Sequence, residues 1–165
     1  MCGISGVINK NNSPVDQKSL KIINDLISHR GPDDEGFYFE KNFGFGHRRL
    51  SILDLSKNGH QPMSYADGRF WIVFNGEIYN YKDLREELQK KGFSFKTTSD
   101  TEVVIAAFTY WGVNSLKRLR GMFAFAIWDE KNRLVFIARD RLGIKPLYYF
   151  KNSENFLFSS EIKSI

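Results

Sequence analysis

The chain contains a single cysteine, Cys2, which directly follows the initiator methionine. A thiol has a pKa of roughly 8.5, so a nucleophilic cysteine needs a base at neutral pH. Removal of Met1, which methionine aminopeptidases perform before small residues, would leave an α-amino group with a pKa of roughly 8 beside the sulfur. That amine could take the thiol proton and return it to a leaving amine. The alternative interpretation is a small buried residue at the start of a strand.

Histidine is the usual base for a cysteine nucleophile, and the chain has three, at His29, His47 and His60. An N-terminal amine makes a papain-like pair with His29 unnecessary, and we interpret His47 and His60 as structural. The histidines lack short ligand spacing, and one cysteine cannot supply the thiolates of a structural zinc site. We therefore expect no metal in this domain and no internal disulfide.

The composition is that of one folded domain spanning residues 1–165, with 42% hydrophobic and 15% aromatic residues. The net charge is +5, but 19 acidic residues are interspersed with 24 basic ones, so the charge pattern does not favour nucleic-acid binding. No apolar run approaches the roughly 18 residues of a membrane span, and the N-terminus lacks a signal-peptide pattern. We expect a cytoplasmic protein without membrane contact.

Periodicity and turn residues predict helices inserted between groups of strands. The predicted strands cover residues 1–8, 37–39, 43–53, 70–74, 122–128, 134–138, 147–150 and 156–159. One helix is predicted to start at Ser13–Pro14 and end at Gly31–Pro32, a second to run over 81–91 after an Asn80 cap, and a third to run from a Ser99–Glu102 capping box through Trp111.

The strands are joined by short turns, which favours antiparallel sheets, and residues 70–74 are apolar throughout, as in a strand covered on both faces. Residues 122–128 and 134–138 form the clearest hairpin. Two aromatic-rich sheets packed face to face, with helices on their outer faces, would account for this pattern. The predicted class is α+β.

Eight short motifs follow one another over nearly the whole chain. They are MCGISG (1–6), HRGPD (29–33), RLSI (49–52), NGEIYN (75–80), SDTE (99–102), GMFAFA (121–126), RDRLGIKPLYY (139–149) and SEIK (160–163). In this order they resemble the class II glutamine amidotransferases, which are N-terminal-nucleophile hydrolases. Within that superfamily they resemble the glutaminase half of glutamine-hydrolysing asparagine synthetases. The resemblance implies a four-layer αββα sandwich.

The resemblance also implies a reaction, the release of ammonia from free L-glutamine through a thioester on Cys2. The tetrahedral oxyanion needs preorganised donors, and the Asn75 side-chain amide and the Gly76 N–H match the family's oxyanion hole. An Asn-Gly pair is otherwise typical of a hairpin turn. The motif context favours the oxyanion role.

Free glutamine carries an α-carboxylate and an α-ammonium group. Arg49 matches the family's carboxylate-binding arginine, and its neighbour Arg48 falls on the opposite face of the strand. Asp100 matches the residue that pairs with the α-ammonium group, although it could also be a plain helix-capping acid. Further glutamine contacts are expected from Leu50, Ser51, Ile52, Leu53 and Glu77. Arg30 is assigned to gating or ordering the pocket.

The resemblance also points to chemistry that these residues do not contain. The Ser-Gly-Gly-x-Asp-Ser pyrophosphate loop of the synthetase domain is missing, and so is a Walker-type loop. We therefore expect no cofactor in this domain, with ATP and Mg²⁺ on a C-terminal or separate synthetase domain that amidates aspartate. An excised domain is preferred over a free-standing subunit. A sugar or peptide carboxylate as ammonia acceptor, a non-catalytic glutamine-binding module, and a homodimer stay open.

Overall fold

Nine strands and three α-helices make up the computed structural model, which describes residues 1–165. The strands are β1 (Gly3–Asn9), β2 (Asp34–Glu40), β3 (Phe43–Arg49), β4 (Met63–Tyr65), β5 (Phe70–Ile78), β6 (Gly121–Asp129), β7 (Leu134–Arg139), β8 (Tyr148–Lys151) and β9 (Asn155–Ser159). The helices are α1 (Gln17–Asp25), α2 (Tyr81–Lys90) and α3 (Asp100–Trp111), and 3-10 turns cover Ser28–Arg30, Lys57–Gly59, Gly112–Lys117 and Ile162–Ser164.

The strands form two sheets in which every pairing is antiparallel. The first sheet has the order β2-β3-β1-β9-β8, and the second has the order β4-β5-β6-β7. The predicted hairpin of β6 and β7 is confirmed, with Trp128 opposite Val135 in the register. The first strand of the chain therefore lies in the middle of the first sheet, between β3 and β9.

Three apolar clusters separate four layers. The cluster between the sheets consists of Ile4, Phe43, Phe45, Val73, Ala124, Ala126, Trp128 and Phe158. Val7, Val15 and Leu20 join α1 to the outer face of the first sheet, and a cluster of 17 residues joins α2 and α3 to the outer face of the second. Phe43 stacks on Trp128 across the sheets, with ring centroids 4.5 Å apart. The predicted αββα sandwich is confirmed.

The first helix starts later than the sequence predicts. Asp16 is its N-cap, because its carboxylate accepts hydrogen bonds from the N–H groups of Lys18 and Ser19. Ser13 instead bonds to Asn11 within the preceding turn. The α-helix ends at Asp25, and Ile27 lies beyond it, although Ile27 is still fully buried. The predicted cap at Ser13 and the predicted helix end at Gly31 are therefore wrong.

Two strand boundaries also differ from the prediction. Strand β3 ends at Arg49 and does not reach residue 53, because the Arg49 side chain bonds to the carbonyls of Asp54 and Ser56 and folds the following segment back. Strand β5 continues four residues past Phe74, so Asn75–Gly76 lies inside a strand. The hairpin-turn alternative for this pair is excluded.

Both predicted caps of the later helices are partly wrong. Asn80 precedes α2, but its side chain bonds to the backbone of Arg118 and Arg120 instead of capping the helix. Ser99 does cap α3, through the Thr101 N–H. Glu102 does not complete the capping box, because its carboxylate binds the backbone N–H groups of residues 96 and 97.

Candidate active site

Alternating side chains bring three predicted site residues to the space between the sheets. Successive residues of a strand face opposite sides, so the row that contains Ile4 in β1 extends back to Cys2. In β3 the row of Phe43 and Phe45 leads to Arg49, and in β5 Val73 leads to Asn75. Arg48 faces the other way, as the sequence predicts, and it donates to the Asn24 carbonyl of α1.

These rows end in one cavity, which also includes the start of α3. Among the predicted site residues, those that line it are Cys2, Arg49, Leu50, Ile52, Leu53, Asn75, Gly76, Glu77 and Asp100. Ser51 and Arg30 do not line it. The structure therefore assembles nine of the predicted residues around one space.

The Cys2 thiol is held at the wall of this cavity by the backbone of Leu50. Its sulfur lies 3.4 Å from the Leu50 nitrogen and 3.6 Å from the Leu50 oxygen. Burial raises the pKa of the thiol, while the hydrogen bond from Leu50 and the charge of Arg49 oppose this increase. Because burial favours the neutral thiol, a nucleophilic Cys2 requires a base close to its sulfur.

Arg30 lies behind Cys2, outside the cavity. Its Nε donates to the Cys2 carbonyl at 3.0 Å, and its Nη1 binds the Glu161 carboxylate at 3.1 Å. This ion pair, together with His29, holds the pKa of Glu161 below its usual range against the effect of burial. These contacts fix the backbone of Cys2.

The side chain of Asn75 carries an unused hydrogen-bond donor. The residue is 1% exposed, and its Nδ2 has no hydrogen-bond partner. A buried amide donor without a partner costs about 1–3 kcal/mol. Asn75 lines the Cys2 cavity, so a group on a bound molecule could accept a hydrogen bond from this amide.

The Gly76 N–H also points toward the open edge of β5. Its β6 partner, Phe123, directs both its N–H and its carbonyl to Asp140, so this pair makes no hydrogen bonds across the ladder. On the same edge the Phe74 N–H donates to Gln61 at 2.7 Å and the Ile78 N–H donates to Asp100 at 3.0 Å. Gly76 lies between these two positions, beyond the end of the β4 pairing.

Glycine is required at position 76 by the neighbouring strand. A Cβ atom there would lie 2.5 Å from the Met122 carbonyl oxygen and 2.8 Å from the Phe123 Cα. Close packing of β6 therefore explains this glycine.

Arg49 is 7% exposed and is held by carbonyl groups. Its guanidinium donates to Ser56 O at 3.0 Å and to Asp54 O. None of the ion pairs includes Arg49. Its charge is therefore free to bind an anion that enters the cavity.

Asp100 is the first residue of α3 and is 5% exposed. Burial raises the pKa of its carboxyl to about 6, although hydrogen bonds from the backbone of Ile78 and Thr101 oppose the increase. The nearby charge of Glu77 raises it further. A cation bound at this end of the cavity would stabilise the ionised carboxylate.

Two residues of the site were missed by the sequence interpretation. Gln61 binds the Phe74 N–H and, through its amide, the Thr101 hydroxyl at 3.2 Å, so it joins the edge of β5 to α3. Lys145 lines the cavity and is 5% exposed. Gln61 lies in a polar connection and Lys145 in a motif without assigned chemistry, so no local pattern indicated either.

The three histidines lie outside the cavity. His47 is fully buried, its Nε2 lies 3.2 Å from the Phe74 carbonyl, and burial lowers its pKa to about 3. His29 contacts Glu161 at 2.8 Å and His60 contacts Asp34 at 2.7 Å. No group of three His, Cys, Asp or Glu residues could hold a metal ion, and no helix is long and apolar enough to cross a membrane.

Comparison with solved structures defines the class of fold. A glutamine phosphoribosylpyrophosphate amidotransferase from B. subtilis superposes with a TM-score of 0.83 at 20% identity, over 99% of this chain and 42% of that chain. A second structure, described as the allosteric regulatory enzyme of purine biosynthesis, superposes with a TM-score of 0.74 at 20% identity, over 99% of this chain and 42% of that chain. The fold is the four-layer sandwich that these two structures share.

Sequence comparison shows the family. A family model described as a glutamine amidotransferase domain matches residues 1–165, so the chain belongs to the glutamine amidotransferase domain family. Asparagine synthetase [glutamine-hydrolyzing] 1 of Bacillus subtilis is 50% identical over the whole chain, which covers 26% of that protein. A putative asparagine synthetase of Methanocaldococcus jannaschii is 44% identical, with 35% of it covered. The amidase chry2 of Gibberella zeae is 44% identical over 99% of the chain, with 26% covered.

The chain thus spans about a quarter to a third of the length of these relatives. The expected resemblance to the glutaminase part of asparagine synthetases is confirmed.

Proposed function

We propose that this domain hydrolyses the side-chain amide of free L-glutamine to glutamate and ammonia, with Cys2 as the nucleophile. The observation that carries this proposal is the unpartnered Asn75 Nδ2 in the wall of the cavity that holds the Cys2 thiol. An unused buried donor on a residue that shares a cavity with a nucleophile is suited to a negative charge that exists only during the reaction.

The reaction requires that Met1 be removed first. The α-amine of Cys2 then takes the thiol proton, and the sulfur attacks the amide carbon of glutamine. Asn75 Nδ2 and the Gly76 N–H stabilise the oxyanion, and the amine returns its proton to the nitrogen that leaves as ammonia. A water molecule, deprotonated by the same amine, hydrolyses the thioester to glutamate and regenerates the thiol.

Charged groups in the cavity select free glutamine over glutamine within a peptide. Arg49 binds the α-carboxylate, because a guanidinium presents two parallel donors to a carboxylate. Asp100 binds the α-ammonium group, with Glu77 nearby. Leu50, Ile52 and Leu53 also line the cavity, and Leu50 contacts Cys2.

We further propose that the ammonia goes to an ATP-dependent synthetase domain that converts aspartate to asparagine, with ATP and Mg²⁺ bound there. The asparagine synthetases among the relatives support this acceptor. The similarity to the amidase chry2 makes a different acceptor the second candidate. Incorporation of the glutamine amide nitrogen into asparagine, measured with the domain joined to its synthetase domain and supplied with aspartate, ATP and Mg²⁺, distinguishes the two.

The central test is Cys2→Ala, measured as ammonia release from glutamine. We expect a loss of at least about 1,000-fold with an unchanged thermal unfolding temperature. The intact mass of the unsubstituted protein must show that Met1 is absent. Undiminished release by Cys2→Ala, or full activity of protein that retains Met1, would contradict the mechanism. Glutamine binding without any hydrolysis would identify a non-catalytic binding module instead.

A further inference from the structure

Lys145 is a buried lysine that faces the nucleophile's cavity. It follows a turn after β7 that the Asp140 carboxylate holds together by accepting hydrogen bonds from the N–H groups of Leu142, Ile144 and Lys145. The same carboxylate binds the Phe123 N–H at 3.3 Å, which fastens the turn to β6. The backbone of Lys145 is therefore fixed relative to the second sheet.

The ammonium group of Lys145 has no acidic partner. Its Nζ lies 3.1 Å from the Met1 sulfur, and none of the ion pairs includes it. A thioether is a weak acceptor. Burial of an ammonium without a carboxylate opposes folding, so stability does not account for a lysine at this position.

We propose that Lys145 adjusts the basicity of the Cys2 α-amine, so that this amine acts as the base near neutral pH. The inference rests on the proposed function, because the free amine exists only after Met1 is removed. Removal of Met1 takes away the contact of Nζ and creates a new amino terminus beside the same space. A second positive charge there disfavours the protonated amine and favours the thiolate. Lys145 itself transfers no proton.

Other charged groups face the same region. Arg49, Asp54, Glu77 and Asp100 line the cavity from β3, the following segment, β5 and α3. Arg30 lies behind Cys2 and is paired with Glu161. In the proposed reaction Arg49 forms an ion pair with the α-carboxylate of glutamine, and Asp100 forms one with the α-ammonium group. Lys145 is then a cation that neither the protein nor the substrate neutralises.

Covalent geometry bounds the size of the effect. Because Nζ touches the Met1 side chain, it lies within roughly 10 Å of the Cys2 nitrogen. A unit charge at about 8 Å, in a medium between protein surface and water, shifts the titration of an amine by about 0.5–1 pH unit.

The test is the pH dependence of kcat/KM for glutamine hydrolysis, measured from about pH 5.5 to 9.5. In Lys145→Met the acidic limb should move up by about 0.5–1 pH unit. Activity at pH 7 should then fall by about 3- to 10-fold and return to within about twofold at pH 9.5. Lys145→Arg, which keeps the charge, should restore the original midpoint. The exposed Lys151→Met is the matched control and should leave the profile unchanged.

An unmoved midpoint in Lys145→Met overturns the inference. A loss that is equal at all pH values and appears in KM also overturns it, because Lys145 would then bind substrate. If Lys145→Met does not fold, Lys145→Gln serves for the same comparison, with the pH dependence of Cys2 alkylation as a second readout. An unsubstituted protein whose mass shows that Met1 is absent, and which is nevertheless inactive, identifies failure of the proposed function itself.

Discussion

Asp100→Asn should make the protein more stable and less active. Asp100 is 5% exposed, and burial raises the pKa of its carboxyl from 3.8 to about 6. At pH 7.5 the folded protein therefore holds a buried carboxylate that favours its neutral form. Asparagine is neutral at every pH, and its side-chain oxygen can still accept the hydrogen bond from the Ile78 N–H.

The magnitude follows from the pKa. A carboxyl with a pKa of about 6 in place of 3.8 prefers the neutral form in the fold by on the order of 3 kcal/mol. The N-terminus of α3 favours a negative charge by about 0.5–1 kcal/mol, which offsets part of this preference. We expect Asp100→Asn to increase the free energy of unfolding by about 1–3 kcal/mol at pH 7.5.

The difference should depend on pH with a defined sign. The folded-state pKa is raised, so the contribution of the protonated carboxyl to stability is complete below about pH 4 and is lost as the pH rises through about 6. Urea unfolding at pH 4, 5, 6 and 7.5 should show nearly equal stabilities at pH 4 and a widening gain for the variant above it. Asp83→Asn, an exposed acid in the first turn of α2, is the matched control.

The activity of the same variant should fall. Asparagine cannot offer a negative charge to the α-ammonium group, so KM for glutamine should rise by about 10- to 100-fold. A variant that is less stable at pH 7.5, or a stability difference that is the same at all four pH values, would refute the assignment of burial as the cause. An unchanged KM would refute the ammonium contact alone.

Two further substitutions test the oxyanion donor and the packing between the sheets. Asn75→Ala should lower kcat by about 100- to 1,000-fold with little change in KM. The control Asn80→Ala loses only contacts to Arg118 and Arg120, so it should lower stability and spare kcat. A loss confined to KM in Asn75→Ala would argue against an oxyanion role. Gly6→Ala should destabilise the fold by about 1–3 kcal/mol, because the new Cβ would lie 2.2 Å from the Phe158 ring. In urea unfolding this cost should shrink in a Phe158→Leu background, and equal costs in both backgrounds would show that the two residues do not clash.

Strand periodicity made most of the fold and several site residues predictable from the sequence. Alternation alone separates Arg49, which faces the cavity, from Arg48, which reaches α1. The apolar run at Phe70 likewise predicts a strand buried on both faces. These features depend on neighbours one or two residues apart, which a sequence displays directly.

The wrong cap and the two missed site residues depend on contacts between residues well separated in the chain. Asparagine is a common helix N-cap, but the Asn80 side chain forms its hydrogen bonds with the backbone of Arg118 and Arg120. Gln61 binds Phe74 and Thr101 from within a polar loop. Lys145 meets a residue 144 positions away. Local pattern carries no information about such partners.

The cavity combines three features that oppose stability. Asp100 is a buried acid, Asn75 holds an unpartnered donor, and Lys145 is a buried cation without an acid. Each would be relieved by a different part of the proposed reaction, namely the substrate's ammonium group, the oxyanion, and the loss of the proton from the Cys2 amine. Removing any of them should therefore cost activity and spare or improve folding.

The strands that carry the site also explain how the fold tolerates these groups. The rows that end in Cys2, Arg49 and Asn75 continue into the aromatic cluster between the sheets. Burial of that cluster stabilises the strands, and the same strands hold site side chains that oppose folding. Gly6→Ala, which acts on this cluster, should therefore reduce activity only to the extent that it unfolds the protein, whereas Asn75→Ala should inactivate a protein that stays folded. A Gly6→Ala protein that is fully folded but inactive would break this separation between packing and chemistry.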